Sequence, residues 1–242
     1  VTTVCAGSTL LVRKLSRLVA LGTDDIAALS ELEFQSEQVA NHHYLVREGD
    51  RVNRCCLLID GYAARNKLVR NGQRQIVAFH MPGDMLDLQH SLLNRADHNV
   101  QTTTAATVGW VDVEKLKGFA LAHPKIAEAF ARDALIDASI FREWVLNVGR
   151  RDAKTRVAHM LCEFVARREA IGISPADPMV LPFTQEQIGD ATGLTSVHVN
   201  RMLRVLTTEG AFERLNGAYK IADWQKLKRL ADFDPAYLHQ AA

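Results

Sequence analysis

The spacing of apolar and polar positions changes rhythm three times along the 242-residue chain. From about Ser8 to His42, apolar residues return at three- and four-residue intervals, Leu18, Leu21, Ile26, Leu29 and Leu32 among them, as amphipathic helices require. Thr23, followed by Asp24 and Asp25, reads as an N-cap with acidic residues in the first turn. From Tyr44 to Val113 the text becomes short alternating runs broken at "EGD", "DG", "NG" and "PGD", which predicts a β-roll or barrel of about eight strands. Inside it, "KLVRNGQRQIVAFH" predicts a hairpin, with Asn71-Gly72 taking the positive φ values of a two-residue turn.

Helical rhythm returns near Val113. "HPKIAEAFARDALIDASIFREWVLNVG", from His123 to Gly149, predicts one helix of about 27 residues and about 40 Å. Ile126, Phe130, Ile140 and Trp144 fall close to heptad positions, and Asp133 and Asp137 interrupt that seam. A displaced seam through Ile136, Ile140 and Trp144 is the other option. Such length suits pairing with a twin helix in a homodimer on these residues, with packing on the chain's own sheet as the alternative. Asp152 can cap the next helix, "DAKTRVAHMLCEFVARREAIG", whose buried face is Val157, Leu161 and Phe164 and which Gly172 closes. A linker with Pro175, Pro178 and Pro182 follows. The organisation is therefore α+β, with a roll and its N-terminal helices over 1–122, a dimerisation helix over 123–150, and a third domain over 151–242.

The third domain carries the most specific motif, "TQEQIGDATGLTSVHVNRML". Counted from Gln185, Gly189 holds the fifth position, where two crossing helices leave no room for a larger residue. Gly193 holds the ninth, where a tight turn needs left-handed φ. Ile188, Leu194, Val199 and Met202 supply contacts between the helices; Thr184 with Gln187 forms a capping box, and Thr195 caps the second helix. This is a helix-turn-helix. Its second helix presents Ser196, Val197, Asn200 and Arg201 within two turns, the part that enters a DNA major groove. Arginine pairs with guanine, asparagine with adenine, and valine offers apolar contact to a thymine methyl. "GAFERLNGAYKI" then predicts a wing, with Asn216-Gly217 as its turn.

Formal net charge is only +1, so nucleic-acid binding must rest on local charge. Between Ser196 and Arg229 seven Lys/Arg face three Asp/Glu, a basic stretch suited to phosphate. Arg204, Arg214 and Lys220 are phosphate candidates, with Thr184, Thr195 and His198 beside them. Solvated surface charge is the alternative for each. No apolar run is long enough for a membrane helix, no export signal opens the chain, and Cys5, Cys55, Cys56 and Cys162 show no disulfide or metal spacing, so a reducing cytoplasm is expected. Cys55 and Cys56, adjacent in a strand, should point to opposite faces, one packed and one partly exposed. His42, His43, His80, His90 and His98 are scattered, so no metal site is expected. No nucleophile elbow, phosphate loop or paired carboxylates suggest an enzyme; Asp84 and Asp87 near His90 read as turn caps.

Together, "VREGD", "LLIDGYA", "MPGD", "DAKTRVAHML" and "FTQEQIGDATGLTSVHVNRMLRVLTTEGAF" resemble the Crp/Fnr family of bacterial transcription regulators over nearly the whole chain. The resemblance implies a cyclic-nucleotide-binding-like double-stranded jelly roll, a homodimer joined along the long helix, and winged helices on a palindromic operator in double-stranded DNA, with RNA polymerase as partner. Arg201 matches the family's base-reading arginine. Val197 stands where the family often has glutamate, and Asn200 where it has Ser or Gly, so a different operator is implied. The family's effector pocket would fall at Gly83, Asp84, Gln101 and Thr102. "ADHNVQTTTAAT" supplies no arginine for a cyclic phosphate, and Cys5 alone cannot start an iron–sulfur site, so neither cyclic AMP nor a cluster is expected and the effector is unidentified. Two rival readings are a ligand- or protein-binding module whose winged helix contacts a protein, and a metal-carrying cupin-like roll.

Overall fold

The computed structural model describes residues 3–93, 95–174, 181–215 and 218–240, with backbone only for 3–6, 215 and 218. The expected turn at Asn216-Gly217, the side chain of Cys5, and Pro175 and Pro178 lie outside the described residues. The chain divides into two compact units, one of Val1–Lys67 and Ala78–Ala138, the other of Leu68–Val77 and Ser139–Gln240.

Apart from Leu68–Val77, the β4–β5 hairpin tip that counts with the second unit, the first unit has helices α1 (Thr3–Leu18) and α2 (Thr23–Glu31) followed by strands β1 (Gln35–Val39), β2 (Tyr44–Val46), β3 (Arg54–Asp60), β4 (Ala63–Leu68), β5 (Arg74–His80), β6 (Asn99–Thr102) and β7 (Ala106–Asp112). Helix α3 (Val113–Ala122) follows, then the long α4 (Pro124–Arg150), whose first half belongs here. The strands form a three-stranded sheet, β1-β7-β3, and a four-stranded sheet, β2-β6-β4-β5. Strand β1 lies inside the stretch read as helical; its "QSEQV" is mostly exposed and is held as an edge by pairing to β7, from Gln35–Trp110 to Val39–Ala106. The cap of α2 is Gly22 rather than Thr23: Asp25 accepts a bond from the Gly22 N–H at 3.1 Å.

The period-two alternation of β3 sorts its residues between two cores. Cys55 and Leu57 join the layer built by Leu11, Leu15, Leu29, Leu116, Ile126 and Phe130, whereas Cys56 and Leu58 join the roll interior with Val100, Val108 and Trp110. Each fully buried leucine contributes about 1.5–3 kcal/mol. Both cysteines are therefore fully buried, which corrects the expectation that one would be partly exposed: helices cover one face of the strand and the roll closes on the other. Burial, the largest cause, pushes both thiols well above their usual range. The β4–β5 turn departs from expectation too. Only Gly72 has positive φ, 84°, and the Val69 carbonyl accepts from the Gly72 N–H at 2.9 Å, a wider turn that needs left-handed backbone at one residue.

Helix α4 corrects the expected seam. Ile126 (0% exposed) and Phe130 (7%) pack in the chain's own core, Ile140 and Trp144 are buried in the second unit, and Ile136 is half-buried. Asp133 and Asp137 face inward as well, the first 2.9 Å from Lys14 Nζ and the second 2.6 Å from the Arg65 guanidinium. The two carboxylates thus pair with α1 and with β4 instead of breaking a seam. The side left open carries Ala131, Leu135, Ala138, Arg142, Val145 and Gly149 at alternating four- and three-residue intervals, with Leu135 67% and Val145 70% exposed. The helix runs through Gly149 to Arg150.

The second unit holds the rest of α4, then α5 (Ala153–Ala170), α6 (Gln185–Thr192), α7 (Ser196–Thr208), strands β8 (Phe212–Leu215) and β9 (Ala218–Ile221), and α8 (Trp224–Leu230). Asp152 caps α5 by accepting from the Thr155 N–H at 3.0 Å. Every residue of α5 from Val157 to Ala166 is buried, a wider burial than the single face of Val157, Leu161 and Phe164.

Candidate nucleic-acid interface

Helices α6 and α7 meet as the glycine spacing demands. A Cβ at Gly189 would lie 2.4 Å from the Leu194 carbonyl oxygen, so no other residue fits the crossing without displacing backbone. Gly193 takes φ 69° and ψ 35° and ends α6 in left-handed conformation. Thr184 Oγ1 accepts from the Gln187 N–H at 3.1 Å while the Thr184 N–H donates to Gln187 Oε1 at 2.8 Å, a complete capping box. Thr195 Oγ1 caps α7 by accepting from the His198 N–H at 3.3 Å. Val199, Leu203 and Leu206 bury one stripe of α7.

The opposite stripe is open. Ser196, Val197 and Arg201 are exposed and Asn200 half-exposed, with Val197 at 80%. An aliphatic side chain that open gains nothing from the fold. Arg204 continues the stripe two turns along, His198 is half-buried at its edge, and Thr184 and Thr195 are exposed at the starts of the two helices. Strands β8 and β9 pair from Phe212–Ile221 to Leu215–Ala218, placing Arg214 opposite Tyr219 and Glu213 opposite Lys220. Arg214 is exposed and Lys220 half-exposed. Thus the four proposed base readers share one helix face, while Arg214 and Lys220 sit on the neighbouring ribbon.

Helix α5 is the floor beneath this pair. Arg156 reaches from it to donate to the Thr192 carbonyl at 3.2 Å, just before the turn, and Lys154 Nζ pairs with Glu209 at 3.0 Å past the end of α7. The tip of the β4–β5 hairpin belongs to the same unit: Arg74 Nε lies 2.7 Å from Asp190 on α6.

Two regions of the chain match known domain families: residues 36–123 match the cyclic nucleotide-binding domain, and residues 155–230 match the Crp-like helix-turn-helix domain. The chain belongs to the Crp/Fnr family of transcription regulators. Among its relatives is the nitrogen fixation regulation protein FixK of Bradyrhizobium diazoefficiens, 27% identical over 209 residues that cover 86% of this chain and 87% of that protein. Another is the transcriptional activatory protein AadR of Rhodopseudomonas palustris, 29% identical over 72% of each chain. The solved structure of FixK2 from Bradyrhizobium japonicum superposes with a TM-score of 0.75 at 26% identity, covering 82% of this chain and 98% of that one.

Membership raises the question of what the roll of this Crp/Fnr regulator holds. Gly83 takes φ 95° in the turn before Asp84. Asp84 is buried; it accepts from the Met81 N–H at 3.0 Å and pairs with Lys14 at 3.0 Å. Thr102 is buried and donates to the Ala40 carbonyl at 2.8 Å, and Gln101 donates to the His42 carbonyl at 2.9 Å. These contacts tie Asp84 to α1 and to its own turn, and Gln101 and Thr102 to His42 and Ala40. The arginine of the roll interior, Arg65, comes from β4, outside the stretch where the family pattern has one, and its guanidinium bonds Asp137 and the Leu86 carbonyl (2.9 Å). Among the described residues this buried cation thus has protein acceptors on two sides.

Sequence reading treated the histidines as scattered, yet His90 and His98 stack with centroids 5.6 Å apart. His98 is lowered to about 4, first by burial and then by the charge of Arg65. Asp84 serves as the expected turn acceptor, whereas buried Asp87 caps no turn with its side chain and instead takes the Cys56 N–H from β3 at 2.8 Å. Among the described residues no group of three or more His, Cys, Asp or Glu is placed to hold a metal ion. Sequence reading missed Glu163, a carboxylate only 3% exposed in the middle of α5. Its signal was a lone charge between Cys162 and Phe164 in an otherwise apolar stretch.

Proposed function

We propose that this Crp/Fnr regulator works as a homodimer on a two-fold-symmetric operator, reading bases with Ser196, Val197, Asn200 and Arg201 and gripping phosphate with Thr184, Thr195, His198, Arg204, Arg214 and Lys220. The open stripe of α7 carries this reading: among the described residues its four side chains make no hydrogen bond or ion pair of their own, while Val199, Leu203 and Leu206 bury the opposite side. Polar groups that stabilise nothing in the fold are available to base edges. The exposed heptad of α4, Leu135 and Val145 foremost, replaces the buried Ile126–Trp144 set as the twin-helix seam. Two recognition helices then stand about 34 Å apart, one DNA turn. The regulator acts in the cytoplasm by binding, with RNA polymerase as partner and without catalysis. Its effector is not a cyclic nucleotide in the family position, since Arg65 and Asp84 are engaged by Asp137 and Lys14.

The test is selection of bound duplexes from a random pool, followed by titration of operator and random DNA over a salt series. A symmetric site should emerge. Arg201→Ala should lose about 1–3 kcal/mol on the operator and relax one base position per half-site, whereas Lys220→Ala should weaken all duplexes alike and reduce the salt slope by about 1. Binding indifferent to salt would instead indicate a protein partner for the winged helix.

A further inference from the structure

The family match ends at residue 230, and the chain continues into a segment that packs back on its own unit. Residues Pro235–Leu238 form a 3-10 turn capped by Asp234. Around it, Phe233 and Tyr237 close on His159 of α5, with ring centroids 5.3 and 5.9 Å away. The Tyr237 hydroxyl donates to Glu163 Oε2 at 2.9 Å. The same carboxylate accepts the indole N–H of Trp144, on α4, at 3.0 and 3.2 Å. Arg167, one turn along α5, stands 3.8 Å from Oε1. Three elements distant in sequence therefore meet on one buried carboxylate, which is the acceptor for both neutral donors.

The contacts around this point have a common direction. Arg151, at the junction of α4 and α5, lies 2.7 Å from Glu143 and 3.4 Å from Asp232. Gln240 reaches the Ala166 carbonyl at 3.5 Å. Arg151 thus links the tail to the end of α4, Gln240 links the tail to α5, and α5 in turn carries the helix pair through Arg156 and Lys154. A buried carboxylate without donors would be costly, so the arrangement is held by all of its partners or rearranges.

We propose that Glu163, clasped by Trp144 and Tyr237, is a positioning residue for DNA recognition: it fixes the second half of α4 to the floor of the winged helix and so sets the separation of the two recognition helices in the dimer. This rests on the reading of the chain as a dimeric operator-binding regulator. The carboxylate touches no base; it acts through the angle between rod and reader.

The test uses the full chain as wild type, Tyr237→Phe and Glu163→Gln, on duplexes with one half-site, with two half-sites at the natural spacing, and with two moved apart or together by a base pair. Wild type should bind the natural two-site duplex best. Each variant should lose about tenfold on that duplex, keep its single-half-site affinity, and discriminate less among spacings. Equal losses on one- and two-site duplexes would reduce Glu163 to ordinary structural support, and unchanged spacing preference in both variants would remove its role altogether. If Glu163→Gln fails to fold, Tyr237→Phe, which deletes one hydroxyl, decides. A wild type that gains nothing from the second half-site overturns the dimeric reading itself, a result distinct from any variant outcome.

Discussion

Helices α5 and α7 lie in the same unit and each carries polar residues at positions a plain amphipathic helix would not need. On α7, Ser196, Asn200 and Arg201 lie on the open stripe and have no side-chain hydrogen bond or ion pair among the described residues; on α5, His159 and Glu163 point inward and are enclosed by aromatic rings and donors. Polarity alone does not distinguish the two cases. What separates them is burial: an exposed polar face is free for a ligand, whereas an enclosed one must be satisfied by the protein and so becomes a joint. In the proposed reading one helix recognises and the other transmits position.

This contrast has measurable consequences of decreasing size. The largest should come from the crossing that holds α7 open: Gly189→Val forces a side chain against the Leu194 carbonyl, and thermal unfolding should show a loss of about 3 kcal/mol together with operator binding. Retained stability would mean the helices can separate without cost.

The enclosed histidines come next. Burial, with the charges of Arg65 and Arg151 behind it, lowers His98 to about 4 and His159 to about 3, from 6.5. The unfolded chain takes up these protons near pH 6.5 and the folded chain does not, so their contribution is complete above pH 6.5 and falls as pH drops toward 4. Each should remove up to about 1.4 kcal/mol per pH unit, measurable by urea denaturation between pH 7.5 and 4. A flat profile would show that the rings take up protons as readily in the folded chain as in the unfolded one. The smallest effect belongs to the open face: Arg201→Ala, despite its cost in recognition, should change unfolding free energy by less than about 0.5 kcal/mol.

Much of the reader was legible because its constraints are local. Gly189, Gly193, Thr184 with Gln187, and Thr195 act within a few residues, and each does in the structure what its spacing requires. The roll was legible as a class, from its turns, though not in detail: β1 hid in polar text, and the Asn71-Gly72 turn is wider than a two-residue turn. The long helix shows the limit more clearly. Its heptads admit several seams, and choosing among them required knowing that Lys14 meets Asp133 across 119 residues and that Arg65 meets Asp137 across 72. Glu163 was invisible for the same reason, since its donors arrive from Trp144 and Tyr237.

By itself, then, the order of residues determined most of the element types, the helix-turn-helix and the identity of the side chains on the open stripe of α7, because backbone geometry and capping are settled between near neighbours. Only the tertiary structure decided which face of α4 remains open, that both Cys55 and Cys56 are enclosed, that Arg65 and Asp84 already have partners, and that one carboxylate joins rod, floor and tail. Burial and charge pairing are properties of what surrounds a residue, and those surroundings are assembled from distant parts of the chain.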